Sequence, residues 1–138
     1  MTTIVDSITL DQSHAAIAAA IARAANMGVA ANVALLDAGA HLKAFARMDG
    51  AVLGSIDVSI GKARTAALFA IGSADVWTYC RPGAPAPNLE ASNGGLMPFP
   101  GGLPISVGNR LVGAVGVSGG APSQDLEIAQ AAVSTFAG

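Results

Sequence analysis

Residues Asn32 to Met48 read NVALLDAGAHLKAFARM. The first part, NVALLDA, is almost wholly apolar. The last part, HLKAFARM, alternates Leu42, Ala44 and Ala46 with Lys43, Phe45 and Arg47. Alternation with a period of two marks a strand with two unlike faces, and a short apolar run suits a strand covered on both. The segment between them, DAGAH, is short and contains Gly39. Two strands joined by so short a connection run antiparallel, so the stretch predicts a hairpin.

On the N-terminal side, Leu10 to Met27 has helical periodicity. Thr9 followed by Gln12 is a capping-box signature, and Gly28 is a suitable stop. Leu10, His14, Ile17, Ile21 and Ala24 fall on one stripe at helical spacing, and the other faces are mostly alanine. On the C-terminal side, a second helix is predicted from about Ser55 to Ile71, capped by Ser55 and ended by Gly72. Its apolar stripe is Ile56, Ile60, Ala63, Ala67 and Ile71. Its opposite face, Ser55, Ser59, Lys62, Ala66 and Ala70, is small except for Lys62, which lets a backbone or a ligand come close.

From Ala74 to Pro104 the chain changes character. Six of its seven prolines lie here, with turn signals at Asn93-Gly94-Gly95 and Gly101-Gly102. VWTYCR is a candidate short helix at its start. Long loops in compact domains are usually functional or mobile. LPISVG and RLVGAVGVSG then read as two strands around Gly108-Asn109, and a last helix runs from about Ser123 to Phe136 on Leu126, Ala129, Val133 and Phe136. The order is helix, two strands, helix, loop, two strands, helix. It predicts one layered α/β (α+β) domain over residues 1–138, with a mainly antiparallel sheet flanked by helices.

The chain is 52% hydrophobic and only 12% charged, with a mean hydropathy of +0.54. About a quarter of a typical chain is charged. No apolar run approaches the roughly 20 residues of a spanning helix, so the excess favours an oligomer that hides surface. The net charge is −2 and no basic run exists, which argues against nucleic acid as a partner. The N-terminus lacks the pattern of a signal peptide, so a cytoplasmic location is expected. Cys80 is the one cysteine and can form no intrachain disulfide. A nucleophilic role for it would need a basic neighbour, and only Arg81 is adjacent.

RLVGAVGVSGGAPSQD, Arg110 to Asp125, raises the question of a phosphate cradle. Its glycines stand at 113, 116, 119 and 120, which matches neither a Walker loop nor the dinucleotide fingerprint. Asp125 and Glu127 in the first turn of the next helix already complement its dipole and would repel phosphate. A close-packed strand followed by a turn of positive φ is the simpler reading. ARMDGA offers more chemistry. Arg47 and Asp49 either brace a corner, or Arg47 holds a ligand carboxylate in bidentate fashion. Lys62 and Arg64 on the next helix add positive charge, and a partly buried Lys62 suits an anion. His14, within an apolar stripe, is a core histidine or a haem ligand. His41, at a turn, is a solvated residue, a ligand or a base.

LLDAGAHLKAFARMDGA, residues 35–51, closely resembles the signature of the GlcG/HbpS family of small haem-binding proteins. DVSIGKARTAA supports this through Lys62-Ala63 and Thr65-Ala66, as does FPGGLPISVGNRLVGAVGVSGG followed by Asp125. The match spans nearly the whole chain in order. The resemblance implies a profilin-like domain, of the type also found at the C-terminus of PduO-like proteins, and homo-oligomers from dimers to octamers. It implies haem as cofactor, with haem degradation proposed for some members. Ala40 stands where a second glycine is common, and Lys43 where an apolar residue is usual. The haem ligand does not occupy one position throughout the family. His14 is the candidate for the iron by its place on the first helix, with Arg47, Lys62 or Arg64 near the propionates and the proline-rich loop in the pocket wall. The alternative is an enzyme of isomerase or lyase type acting by proton transfer on a small organic acid or carbonyl compound. There Arg47 would hold the anion and Asp49, His41 or Tyr79 would act as acid or base.

Overall fold

A computed structural model describes residues 6–136. Helix α1 spans Leu10–Asn26, strands β1 and β2 span Asn32–Asp37 and Leu42–Arg47, and α2 spans Ser55–Phe69. Helix α3 (Ser73–Cys80) and a 3-10 turn (Leu89–Ala91) lie within the proline-rich region. Strands β3 (Gly102–Val107) and β4 (Arg110–Ser118) and helix α4 (Pro122–Ser134) complete the order. The four strands form one antiparallel sheet in the order β2-β1-β4-β3. Helices α1 and α4 cover one face, and α2 covers the other. The fold is α+β, and no described helix is long and apolar enough to cross a membrane.

The hairpin predicted at Asn32–Met48 is present. Strand β1 is central and covered on both faces, which is why its sequence is continuously apolar. Val33 and Leu35 face α1 and α4, while Ala34 and Leu36 face α2. In β2 the alternation is interrupted. Leu35 pairs with Ala44 but Leu36 pairs with Leu42, so Lys43 is an extra residue in a bulge. Leu42, expected on the same face as Ala44 and Ala46, is consequently 53% exposed.

The capping box of α1 forms as expected, with Thr9 and Gln12 exchanging hydrogen bonds of 2.9 and 3.1 Å. Its buried face keeps only part of the predicted stripe, Ile17 and Ala24 with Ile21 half-buried. Ser13, Ala16, Ile17, Ala20 and Ala24 are buried, whereas Leu10 and His14 are exposed. The helix turns its alanines inward because they permit close packing. Ser13 is accommodated there because its hydroxyl donates to the Thr9 carbonyl at 2.8 Å. Helix α4 is rotated likewise: Ile128, Ala129 and Ala132 are buried, and Leu126 and Val133 only half-buried.

Helix α2 departs furthest from hydrophobic patterning. It ends at Phe69 with Ala70 left-handed at φ 54°, short of the predicted Ile71. It buries Ser55, Ser59, Lys62, Thr65 and Ala66 along with Ala63 and Ala67, while Ile56 and Ile60 stay half-buried. The small face wins because of what lies opposite. A Cβ at Gly116 of β4 would overlap the Ser59 carbonyl and lie 2.6 Å from the Ala63 nitrogen. One at Gly102 of β3 would overlap the Lys62 carbonyl. The glycines of β4 thus serve backbone-to-backbone packing, and Gly119 adopts φ +139° in the turn after it.

Replacing Gly116 by alanine should lower unfolding free energy by about 1–3 kcal/mol, the usual cost of an overpacked contact. Gly54→Ala, whose added methyl meets nothing within 4 Å, should stay within about 0.5 kcal/mol of the parent. Urea titrations of both variants check the contrast.

Candidate functional site

Lys62 is the largest fully buried side chain among the described residues, at 1% exposure. Its ammonium donates to the Val117 carbonyl at 2.9 Å and to Asp125 Oδ2 at 3.0 Å. Asp125, equally buried, accepts the Gly120 amide at 2.9 Å on its other oxygen. The anion that Lys62 meets is therefore internal, and the pair ties α2 to the start of α4 around the end of β4. Burial draws the Lys62 pKa down, and the charge and hydrogen bond of Asp125 only partly restore it. The Lys62 ammonium also lies 5.2 Å from the centre of the Phe99 ring.

The other predicted residues are scattered. His14 is exposed on the outer face of α1. Arg64 is half-buried and donates to the Asn93 carbonyl at 3.1 Å, pinning the turn after the 3-10 segment. Arg47 and Asp49 are both exposed, and no ion pair joins them among the described residues. His41 is exposed before the opposite end of β2 from Arg47. Tyr79 is 53% exposed on α3, which packs beside α2 and β3 at the far side of the sheet. Arg47, Asp49, His41 and Tyr79 do not converge within one chain. Cys80, the last residue of α3, is buried, and burial together with the neighbouring Glu90 carboxylate pushes its thiol up, so little thiolate is available.

His41 has a local partner. Asp37 Oδ1 accepts the amides of Gly39 and His41 at 2.9 and 3.0 Å and lies 3.5 Å from His41 Nδ1. Burial raises the Asp37 carboxyl, but the two amides and the positive charges of His41 and Lys43 outweigh it and hold the pKa below its ordinary value.

An apolar cavity of about 600 Å³ opens beside the proline-rich segment, lined by Ala74, Trp77, Glu90, Pro98, Phe99 and Pro100. Sequence reasoning had placed the proline-rich loop in a pocket wall but missed Trp77, Glu90 and Phe99 individually. It also missed Asp125 as the partner of Lys62. The available signal was one long cation amid serines and alanines on a helix face. Sixty-three residues separate the pair, and no spacing rule spans that distance. No group of three or more His, Cys, Asp or Glu side chains that could hold a metal ion occurs among the described residues.

Residues 8–134 match the family described as "Haem degrading protein HbpS-like". The crystal structure of the Klebsiella pneumoniae protein ORFY superposes with a TM-score of 0.94 at 33% identity, covering 98% of this chain and 94% of that one. The crystal structure of a PduOC:heme complex gives a TM-score of 0.90 at 30% identity, covering 95% and 96% respectively. The corrinoid adenosyltransferase PduO of Citrobacter freundii is 30% identical over 131 residues, which are 94% of this chain but 39% of that protein.

Lys62→Met should destabilise the fold by roughly 3–5 kcal/mol by stranding Asp125, and the double variant Lys62→Met/Asp125→Leu should recover most of that loss. Chemical denaturation of the single and double variants checks this. The depressed Asp37 pKa means that its stabilisation is complete above its unfolded value of 3.8 and is lost as pH falls through the lower folded value. Asp37→Asn should therefore flatten this acid limb of a Tm-against-pH profile.

Proposed function

The chain belongs to the HbpS-like family, and from that premise we propose that it is a cytoplasmic, oligomeric haem-binding protein in which His14 ligates the iron. The observation that carries this reading is the setting of His14. Its imidazole is exposed on α1, and Ala18, Ala22 and Ala25 follow it at helical spacing, exposed as well. Neither ring nitrogen is taken by a hydrogen bond among the described residues. A flat wall of methyl groups beside an available imidazole suits a porphyrin, and imidazole is a common axial ligand of haem iron. That a relative of the same fold crystallises with haem supports the assignment.

When bound, haem would supply the iron; the chain would supply the His14 imidazole, the alanine wall and a counter-charge. Of the three cations considered for the propionates, Lys62 is engaged inside the protein and Arg64 holds a backbone carbonyl. Arg47 is exposed and remains the candidate. A helix face covers only one side of a porphyrin, so a second copy would complete the enclosure. Val52 and Leu53, 68% and 71% exposed beyond β2, are apolar surface of the kind that subunit contacts bury.

Titration of purified protein with hemin should produce a saturable Soret band, weakened at least about tenfold in affinity in His14→Ala, as expected for loss of a metal ligand or its support. Light scattering on the same samples should show a species larger than a monomer. An unchanged Soret band in the variant would remove His14 from the site.

A further inference from the structure

Ala31, at the entrance to β1, is fully buried, so its amide needs an acceptor inside the protein. That acceptor is a thioether: the Ala31 N–H donates to Met48 Sδ at 3.3 Å. The backbone completes the joint, since the Met48 amide donates to the Ala31 carbonyl at 3.0 Å. Met48, just past the end of β2, thereby closes that strand onto the start of β1. Its own carbonyl accepts the Ala51 amide at 3.1 Å, in the turn that leads on to Val52, Leu53 and α2. A weak sulfur acceptor does here for a buried donor what a carbonyl usually does.

The described methionines are Met27, Met48 and Met97, and all three are half-buried. Among them, only the sulfur of Met48 accepts a hydrogen bond. A thioether carries two lone pairs, and they become chemically distinct once one of them points at an amide. In Met48 that pair is held on the Ala31 N–H, and the other is free to attack an electrophile. Hydrogen peroxide is little larger than water and reaches a half-buried side chain.

We propose that Met48 is a hydroperoxide-sensitive latch, oxidised at the sulfur lone pair that faces away from Ala31. The free pair attacks one peroxide oxygen, and the S–O bond forms as the O–O bond breaks. The departing hydroxide takes the hydroxyl proton and leaves as water. Sulfur loses two electrons and the peroxide gains them. The new oxygen lies away from the Ala31 amide, so what still faces that amide is a sulfur bearing partial positive charge, a poor acceptor. The buried N–H loses its partner, and the joint between β1 and β2 loosens together with the link over residues 49–54. Sulfur becomes a stereocentre in the sulfoxide, so the same geometry selects one of its two epimers.

The test is to treat folded protein with limiting hydrogen peroxide, digest it, and divide the peptides between the two methionine sulfoxide reductases, each specific for one epimer. Met48 should carry one epimer in at least about fivefold excess, the rate equivalent of one ordinary hydrogen bond. The same sulfur oxidised in urea should give both epimers in near-equal amounts. The oxidised protein should melt at least about 2 °C below the untreated one. Met48→Leu, which has no sulfur to oxidise there, should melt at the same temperature before and after peroxide, although Met27 and Met97 remain. If that variant fails to fold, the epimer ratio in the parent decides. Equal epimers at Met48 in the folded protein would overturn the proposal. So would a Met48 that stays reduced while Met27 and Met97 oxidise, an oxidised Met48 with unchanged melting, or a Met48→Leu variant that shifts as the parent does. None of these outcomes depends on whether His14 binds haem.

Discussion

Helix α2 lies so close to the sheet that small residues carry most of the contact between them. Gly116 and Gly102 give the helix backbone direct access to β4 and β3, and Ala34 and Ala114 complete the floor. The rest of the architecture follows from this approach. A large side chain on the inner face of α2 has nowhere to lie, so that face is built of serine, threonine and alanine. The bulky isoleucines of the same helix are displaced to its flanks. Helices α1 and α4 obey the same rule on the opposite face, where alanines carry much of the packing.

Lys62 is the exception on that inner face, and it makes the exception useful. Its stem runs past Gly101, where even a Cβ would meet its Cδ at 2.9 Å, and its head reaches Asp125 beyond the end of β4. A buried ion pair is not a large source of stability, since desolvation offsets most of the attraction. It is a registration device here. It fixes α2, the end of β4, the Gly119-Gly120 turn and the first turn of α4 relative to one another. Through the Phe99 ring it also reaches the proline-rich segment. A cation that looks available to a ligand in one dimension thus organises the scaffold in three.

The two surfaces with open chemistry are consequently separate. The outer face of α1 presents an imidazole among alanines, and the region between α3 and the proline-rich segment presents two aromatic rings. The sheet and α2 stand between them. An architecture of small residues gives rigid, closely spaced layers with little internal void, so ligands are met at the outside of the layers or between copies of the chain.

Element types and order were legible because they depend on local signals: the apolar run and the period-two alternation within Asn32–Met48, the Thr9–Gln12 capping box, the turn at Gly108-Asn109 and the clustering of prolines. The family likeness was legible for the same reason, since its motifs sit in the hairpin, in α2 and in the glycine-rich β4. The orientation of each helix was not. Hydrophobic periodicity assumes that the most apolar stripe faces inward, and in α1, α2 and α4 the need for close approach overrode it. Hence His14 turned outward although its neighbours in the stripe are apolar, and Lys62 turned inward although it is charged. The Lys62–Asp125 pair, the placement of Arg47, His41 and Tyr79 far apart, and the Trp77–Phe99 cavity were decided only by tertiary packing. They join residues that no local pattern relates, through steric contacts that exist only once the sheet has formed.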